Sequence, residues 1–185
     1  MENGQIMTFL ASLPDTAKLL DVFRAYPDTA SPLLDYHEAL MRGPSSLSVA
    51  ERELIAAYVS GLNACRYCYG IHQVTAERFG VDETVLTALL ADLPSAEVED
   101  RMRPLLGYLE KLTRDPGRVS PADAQAVVAA GWDERALHDA VSVCALFNFM
   151  NRFVNGLGIT ADDDYSGTSG TRLADHGYAG LKKLL

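Results

Sequence analysis

Apolar residues recur at the spacing of an α-helix in one segment after another of this sequence. The clearest case is 97–114, whose apolar stripe consists of Val98, Met102, Leu105, Leu106, Leu109 and Leu112. No segment shows the alternation of Val-, Ile- and Thr-rich residues that is typical of a strand. We therefore predict an all-α fold of about seven to nine helices.

The length of the chain and its breaks indicate one domain. A chain of 185 residues fits a single domain over 1–185. Residues 1–30 are predicted to form a loosely packed N-terminal strap with one short helix, and Pro32 follows a capping serine at the start of the next helix. Residues 161–177 are rich in Asp, Gly, Ser and Thr, which predicts a surface loop. From Tyr178 onward a final short helix is expected.

The centre of the chain carries strong helix signals. Ser48 and Glu51 form a capping-box pattern at the start of one helix. A glycine ends that helix, and Asn63 is the predicted N-cap of a second one that continues through His72. Cys65 is then expected to be the second residue inside this helix, which places a Cys-x-x-Cys pair at the N-terminus of a central helix.

Charge and hydropathy exclude two classes of partner. The net charge of -9 argues against nucleic acid, because affinity for phosphate backbones comes from clustered Lys and Arg. No apolar run approaches the roughly 18 residues that span a bilayer, so no membrane interaction is expected. Glu2 stands where a secretory signal has basic residues, and Pro14 follows the short apolar stretch. These features favour a cytoplasmic location.

Four chemically active side chains lie close together in the sequence. Cys65, Cys68 and His72 fall at i, i+3 and i+7, so on a helix they project from nearly the same face. Glu53 lies in the preceding helix. A Cys-x-x-Cys pair in a cytosolic protein is more often redox-active or metal-binding than structural. The set offers a nucleophile, a second thiol able to trap it, a base and an orienting acid.

Two local effects favour different nucleophiles. The helix dipole favours Cys65, whereas Cys68 has His72 one turn further along the helix. If the substrate is a peroxide, the leaving alkoxide or hydroxide needs a proton, and a positioned acid contributes about 100- to 10,000-fold. This favours Cys68 as the attacking thiol, with His72 as base and then acid. Glu53 would orient His72, and Cys65 would condense with the Cys68 sulfenic acid to form a disulfide.

These residues carry a family resemblance. The spacing of Glu53, Cys65, Cys68 and His72 resembles the E-x11-C-x-x-C-x3-H signature of the alkylhydroperoxidase AhpD-like group in the carboxymuconolactone decarboxylase superfamily. Three longer segments resemble the peroxidase-related subgroup of this superfamily: SVAERELIAAYVSGLNACRYCYGIH, CALFNFMNRFVNGLGI and YAGLKKLL. One position departs from the pattern, because AhpD proper has a histidine where this chain has Tyr67.

The resemblance implies an AhpD-like helical fold and assembly into a homotrimer or homohexamer. It also implies a thiol peroxidase that reduces a hydroperoxide through a Cys65–Cys68 disulfide. In that scheme Cys68 is the peroxidatic thiol, Cys65 the resolving thiol, and Glu53 and His72 the proton relay. A dithiol protein or a small dithiol would re-reduce the disulfide. We expect no other cofactor and no metal.

Two alternatives remain open. A lyase or isomerase of the decarboxylase branch would act on a small lactone or keto acid with His72 and Glu53 as acid and base. A non-enzymatic redox sensor or metal-binding module would use the same cysteines, since two thiols, His72 and Glu53 could supply four zinc ligands. Outside the motif, Cys144 is predicted to be a core residue. The remaining histidines are predicted to be structural or on the surface: His37, His138 and His176.

Overall fold

The computed structural model describes residues 8–185, so the first seven residues of the predicted strap lie outside the described residues. Residues 8–185 contain nine α-helices, two short 3-10 turns and no strand, which confirms the all-α prediction. The helices are α1 Leu19–Ala25, α2 Pro27–Arg42, α3 Val49–Leu62, α4 Arg66–Arg78, α5 Val85–Ala91, α6 Met102–Arg114, α7 Pro121–Ala129, α8 Glu134–Gly156 and α9 Asp163–Lys182. None of the helices in this range combines the length and apolarity needed to cross a bilayer.

Helix α3 lies at the centre of the fold. Every residue from Arg52 to Ser60 is buried, because the helix packs against α4 on one side and α8 on another. Helix α4 also contacts α8 and α9, and α9 in turn packs against α2. Ser48 starts α3 with the predicted capping box, its hydroxyl accepting from the Glu51 amide at 3.1 Å. The cysteine motif therefore lies where four helices meet.

The prediction of a surface loop over 161–177 is wrong, because residues 163–177 belong to α9. Asp162 caps the helix by accepting a hydrogen bond from the Tyr165 amide at 2.7 Å. The small residues that suggested a loop serve instead for close packing against α4. A Cβ at Gly170 would lie 2.7 Å from the Ile71 carbonyl oxygen, so only glycine allows this approach.

The described part of the N-terminal strap is packed rather than loose. Val22 and Phe23 of α1 are 2% and 5% exposed, because their apolar side chains insert into the core. Ahead of α1, the Phe9 amide donates to the Leu157 carbonyl at 2.9 Å, and the Thr8 hydroxyl donates to the same oxygen at 3.1 Å. The segment is thus tied to the residues that follow α8.

Helix α2 begins five residues earlier than Pro32, which was predicted to start it. Pro27 occupies its first turn, where the missing N–H has no intrahelical partner to lose. Pro32 lies inside the helix and removes one backbone hydrogen bond. The buried face formed by Leu34, His37 and Met41 offsets that loss.

Candidate active site

The turn between α3 and α4 sets the position of both cysteines. Ala64 adopts a left-handed conformation with φ of 54°, and its amide bonds back to the Gly61 carbonyl at 2.9 Å. Asn63 is therefore the C-cap of α3 and not the predicted N-cap of α4, which is Cys65, one position outside the helix. The prediction that Cys65 lies inside the helix is therefore wrong. Cys68 lies in the first turn of α4.

Glu53 and His72 meet in the core. Glu53 is fully buried, and its Oε2 lies 2.6 Å from Nδ1 of His72. A carboxylate accepts hydrogen bonds, so Nδ1 carries a proton and Nε2 is the basic nitrogen of the neutral ring. Burial raises the pKa of Glu53, but the charges and hydrogen bonds of His72 and Arg42 outweigh it and hold this pKa below its ordinary value. Glu53 is thus an anion paired with the imidazole.

Sequence reasoning missed Arg42, which holds the other oxygen of Glu53. Its Nη1 lies 2.6 Å from Glu53 Oε1. The guanidinium is enclosed by the rings of Phe79 and Tyr178, each centred 5.2 Å from its Cζ, and it donates to the Leu173 carbonyl at 3.4 Å. Arg42 is far from the cysteine motif in sequence, and no local pattern connects it to Glu53. The carboxylate bridges a guanidinium and an imidazole.

The two thiols are reduced and interact with each other. Cys65 is 0% exposed and Cys68 is 4% exposed. The hydrogen bond from Cys68 lowers the pKa of Cys65 to about 7, although burial opposes this. The same hydrogen bond and then burial raise the pKa of Cys68 well above its ordinary value. Cys65 is therefore the thiol that ionises first.

Access favours the other cysteine. Cys68 lines a cavity of about 70 Å³ together with His72, and Cys65 is not part of the cavity wall. The structure therefore assigns acidity and access to different thiols. The more acidic thiol is enclosed, and the thiol that a ligand can reach keeps its proton until a base removes it.

A buried amide of α8 was also missed. Asn151 is 1% exposed and contacts both Cys65 and Cys68, where it lowers the pKa of each thiol. Its Nδ2 donates to Ser60 Oγ at 2.9 Å, and its Oδ1 accepts from Asn63 Nδ2 at 2.9 Å. These bonds fix the amide beside the sulfurs. Only the packing of α8 against α3 and α4 brings it there.

The cavity wall is mainly apolar. Its side chains come from α1, α2, α4, α8 and α9, and they include Phe23, Leu34, Ile71, Phe147 and Leu173. About 10–15 Å³ of such space is enough for one water molecule, so a cavity of about 70 Å³ has room for a small ligand. The reactive groups thus face a small pocket with few polar atoms.

His37 lines this cavity, although it was predicted to be structural or on the surface. It is 3% exposed, and burial lowers its pKa to about 4. Nδ1 lies 2.8 Å from the Leu33 carbonyl oxygen, which only accepts, so Nδ1 is the protonated nitrogen and Nε2 an acceptor. The helical spacing of His37 from Leu34 and Met41 in the sequence could have indicated that His37 lies on the buried face of α2.

Tyr67, which replaces the histidine of AhpD proper, also lines the cavity. Its hydroxyl lies 3.1 Å from that of Tyr165, and burial followed by this neighbour raises the pKa of Tyr67 well above its ordinary value. Tyr67 is therefore a neutral hydrogen-bonding group at neutral pH. Tyr58 instead bonds Glu110 at 3.1 Å, outside the cavity.

The remaining candidates lie elsewhere. Cys144 is 0% exposed among core residues, as its apolar neighbours predicted, and burial raises its pKa. His138 and His176 are exposed. Within residues 8–185, no three His, Cys, Asp or Glu side chains are arranged to hold a metal ion.

The chain is similar to one known family and to several solved structures. Residues 27–110 match the carboxymuconolactone decarboxylase family. An uncharacterized peroxidase-related protein from Silicibacter sp. TM1040 has a similar structure, with a TM-score of 0.74 and 27% identity over 80% of this chain and 78% of that chain. No curated protein matches the chain significantly in sequence.

Two further structures are similar. One is an uncharacterized peroxidase-related protein from Ralstonia eutropha JMP134, described as an alkylhydroperoxidase AhpD core, with a TM-score of 0.73 and 26% identity over 80% of this chain and 78% of that chain. The other is a protein of unknown function from Agrobacterium tumefaciens, with a TM-score of 0.67 and 16% identity over 79% of this chain and 100% of that chain. The last similarity shows the fold alone.

Proposed function

This chain belongs to the AhpD-like, peroxidase-related group of the carboxymuconolactone decarboxylase superfamily, and from that membership we propose that it is a thiol-dependent peroxidase acting on hydroperoxides. One observation carries the proposal. Cys68 and His72 line the same small cavity, and the buried carboxylate of Glu53 lies 2.6 Å behind the imidazole. A reachable sulfur thus shares a cavity with a proton-transfer group that a buried carboxylate orients.

The oxidative half-reaction needs a base and then an acid. Cys68 first loses its proton to Nε2 of His72, which lines the same cavity and becomes an imidazolium. The Cys68 sulfur attacks one peroxide oxygen, the O–O bond breaks, and the leaving alkoxide takes a proton from His72 to become an alcohol. Cys68 is left as a sulfenic acid.

The low pKa of Cys65 suits the second step. The Cys65 thiolate attacks the Cys68 sulfenic acid, hydroxide leaves and is protonated to water, and the disulfide forms. An external dithiol then attacks the reachable Cys68 sulfur and expels Cys65 as a thiolate. A thiol of lower pKa leaves faster, so the low pKa of Cys65 favours reduction of the disulfide as well as its formation. Two electrons pass from the dithiol to the peroxide in each cycle.

Cys68 as the attacking thiol can be tested by oxidation with one equivalent of hydroperoxide. Intact mass and free thiols are measured for wild type, Cys65→Ser and Cys68→Ser. We expect wild type to lose two thiols, Cys65→Ser to hold a trapped sulfenic acid, and Cys68→Ser to stay unreacted. Cys144→Ala is the matched control and should behave as wild type. If Cys68→Ser reacts as wild type does, the assignment of roles is wrong.

Two further readouts distinguish the alternatives. Continuous peroxide consumption with a dithiol reductant indicates an enzyme rather than a redox sensor. Lyase or isomerase activity that survives in the double variant Cys65→Ser/Cys68→Ser indicates the decarboxylase branch, since that chemistry needs only His72 and Glu53. We also propose a homotrimer or homohexamer with a dithiol partner, following from the same family membership.

A further inference from the structure

Two buried polar atoms near the cavity have no hydrogen-bond partner. Among the described residues, the buried side-chain atoms in this situation are Nε of Arg172 and the hydroxyl oxygen of Tyr178. Both residues belong to α9, and both line the cavity that contains Cys68. Buried polar groups are nearly always hydrogen-bonded, so two such groups on residues that line one cavity favour a ligand or ordered water as the missing partner.

The charge of Arg172 argues for an anion rather than water. In residues 8–185, no carboxylate lies within ion-pair distance of its guanidinium, whose side-chain contact is Ser169 Oγ at 3.3 Å from Nη2. The other arginine close to the cavity, Arg42, is neutralised by Glu53 at 2.6 Å. A half-buried cation beside an apolar cavity favours a negatively charged partner.

The second unpartnered group is also a donor. Burial and then the nearby Glu53 raise the pKa of Tyr178 well above its ordinary value, so its phenol stays neutral and can donate a proton to an anion. The ring of Tyr178 packs against the guanidinium of Arg42 and the imidazole of His37. The ring centroids of Tyr178 and His37 are 5.0 Å apart. The hydroxyl is thus presented by a fixed ring.

Two unpartnered donors in a mainly apolar cavity match a carboxylate. One N–H of a guanidinium and one phenol O–H can each bond a carboxylate oxygen, while a phosphate needs more donors than this wall offers. We infer that the cavity takes a small carboxylate-bearing organic hydroperoxide. Its carboxylate is held by Arg172 and Tyr178, and its peroxide group is at Cys68. The placement of a peroxide group at Cys68 rests on the proposed function, whereas the binding of a carboxylate by Arg172 and Tyr178 does not.

Binding of a carboxylate can be measured without any peroxide. Isothermal titration calorimetry of the reduced protein compares hexanoate with hexanamide, which has the same size and no charge. We expect hexanoate to bind at least about tenfold more tightly, and Arg172→Gln to remove that preference. Tyr178→Phe keeps the ring and should weaken hexanoate several-fold. The matched control is Arg118→Gln, whose side chain is 78% exposed and outside the cavity, and which should bind as wild type does.

Equal affinity for hexanoate and hexanamide in wild type would mean that the two donors hold water, and the inference would be wrong. The same holds if neither Arg172→Gln nor Tyr178→Phe changes hexanoate binding. Circular dichroism melting of each variant shows that it is folded. Tyr178→Phe removes one oxygen atom only, so it still tests the inference if Arg172→Gln is unstable.

Substrate selectivity tests the full proposal. The rate of Cys68 oxidation is compared for a hydroperoxy fatty acid of short chain and for its methyl ester. We expect the acid to react at least about tenfold faster in wild type, and the ratio to approach one in Arg172→Gln. If no hydroperoxide oxidises Cys68 in wild type, the proposed function fails, and hexanoate binding still decides the carboxylate site. If both compounds react at one rate in wild type, the inference fails and the proposed function stands.

Discussion

Oε2 of Glu53 lies 2.6 Å from Nδ1 of His72, and the carboxylate that makes this bond is 0% exposed to solvent. Such a bond fixes both the ring orientation and the nitrogen that carries the proton. It leaves Nε2 of His72 to exchange a proton with Cys68 or with a bound substrate. The buried anion also lies next to the imidazolium that forms during the reaction and must give a proton to the leaving group.

Replacing this anion with a neutral amide should slow the oxidation of Cys68. We expect Glu53→Gln to lower the second-order rate constant with hydroperoxide by about 100-fold, because the imidazolium loses its counter-charge. Stopped-flow measurement of thiol loss provides the rate. Glu51→Gln is the matched control, since Glu51 lies on the same helix, in its first turn, and pairs with Arg101 at 2.9 Å instead. A rate in Glu53→Gln close to wild type would contradict the relay.

The neutral His37 predicts a pH dependence of stability. Burial holds the pKa of His37 at about 4, below the ordinary 6.5 of the unfolded chain. Between these values the unfolded state binds more protons, so stability rises with pH across this window and is lost as pH falls from about 6.5 to about 4. The loss reaches about 3 kcal/mol.

Denaturant unfolding of wild type and His37→Asn over this pH range measures the effect. The variant should lack most of the slope that wild type shows. His138→Gln is the matched control, because the side chain of His138 is 70% exposed, and it should keep the wild-type slope. A slope that persists in His37→Asn would show that other groups cause it.

Local patterns were sufficient to predict the central helices and to single out the four motif residues as candidates. The capping box at Ser48 and the spacing of Cys65, Cys68 and His72 each extend over only one or two helical turns. The groups that complete the site are distant in sequence. Arg42 comes from α2, Asn151 from α8, and neither has a short-range relationship to the cysteines.

The error at 161–177 has a related cause. The small polar residues of α9 are typical of loops when read alone, and their function becomes clear only beside α4. Gly170 lets α9 approach the Ile71 carbonyl, and this approach accompanies the placement of Arg172 and Tyr178 on the cavity wall. A single sequence does not show which distant helix a row of small residues packs against.

An exposed apolar face predicts assembly. Phe149 of α8 is 49% exposed and stacks on Phe153 with ring centroids 5.8 Å apart, and both border an apolar groove with Tyr26 and Leu33. We expect wild type to sediment as a trimer or hexamer, and Phe149→Glu to shift toward smaller species, since a charge in an apolar interface is costly. Val128→Glu, at a 55% exposed position on α7, is the control that should sediment as wild type does. A monomeric wild type would contradict the proposed assembly.

The amide of Asn151 should set the acidity of Cys65. Asn151→Ala removes its contact with both thiols, so we expect the Cys65 titration midpoint to move above about 7. Disulfide closure at neutral pH should then slow by about two- to tenfold, because less Cys65 is thiolate. The loss of hydrogen bonds to Ser60 and Asn63 should also lower stability by about 1–3 kcal/mol.

Thiolate absorbance against pH separates these two effects of Asn151, because lower stability alone does not move a titration midpoint. The control is Asn155→Ala, one turn further along α8 and exposed, which should leave both the midpoint and the closure rate at wild-type values. Asn151→Asp adds an anion beside Cys65 while keeping the shape of the side chain, so it should raise the midpoint further than Asn151→Ala does. If neither variant at this position moves the midpoint, the acidity of Cys65 comes from Cys68 and the start of α4 alone.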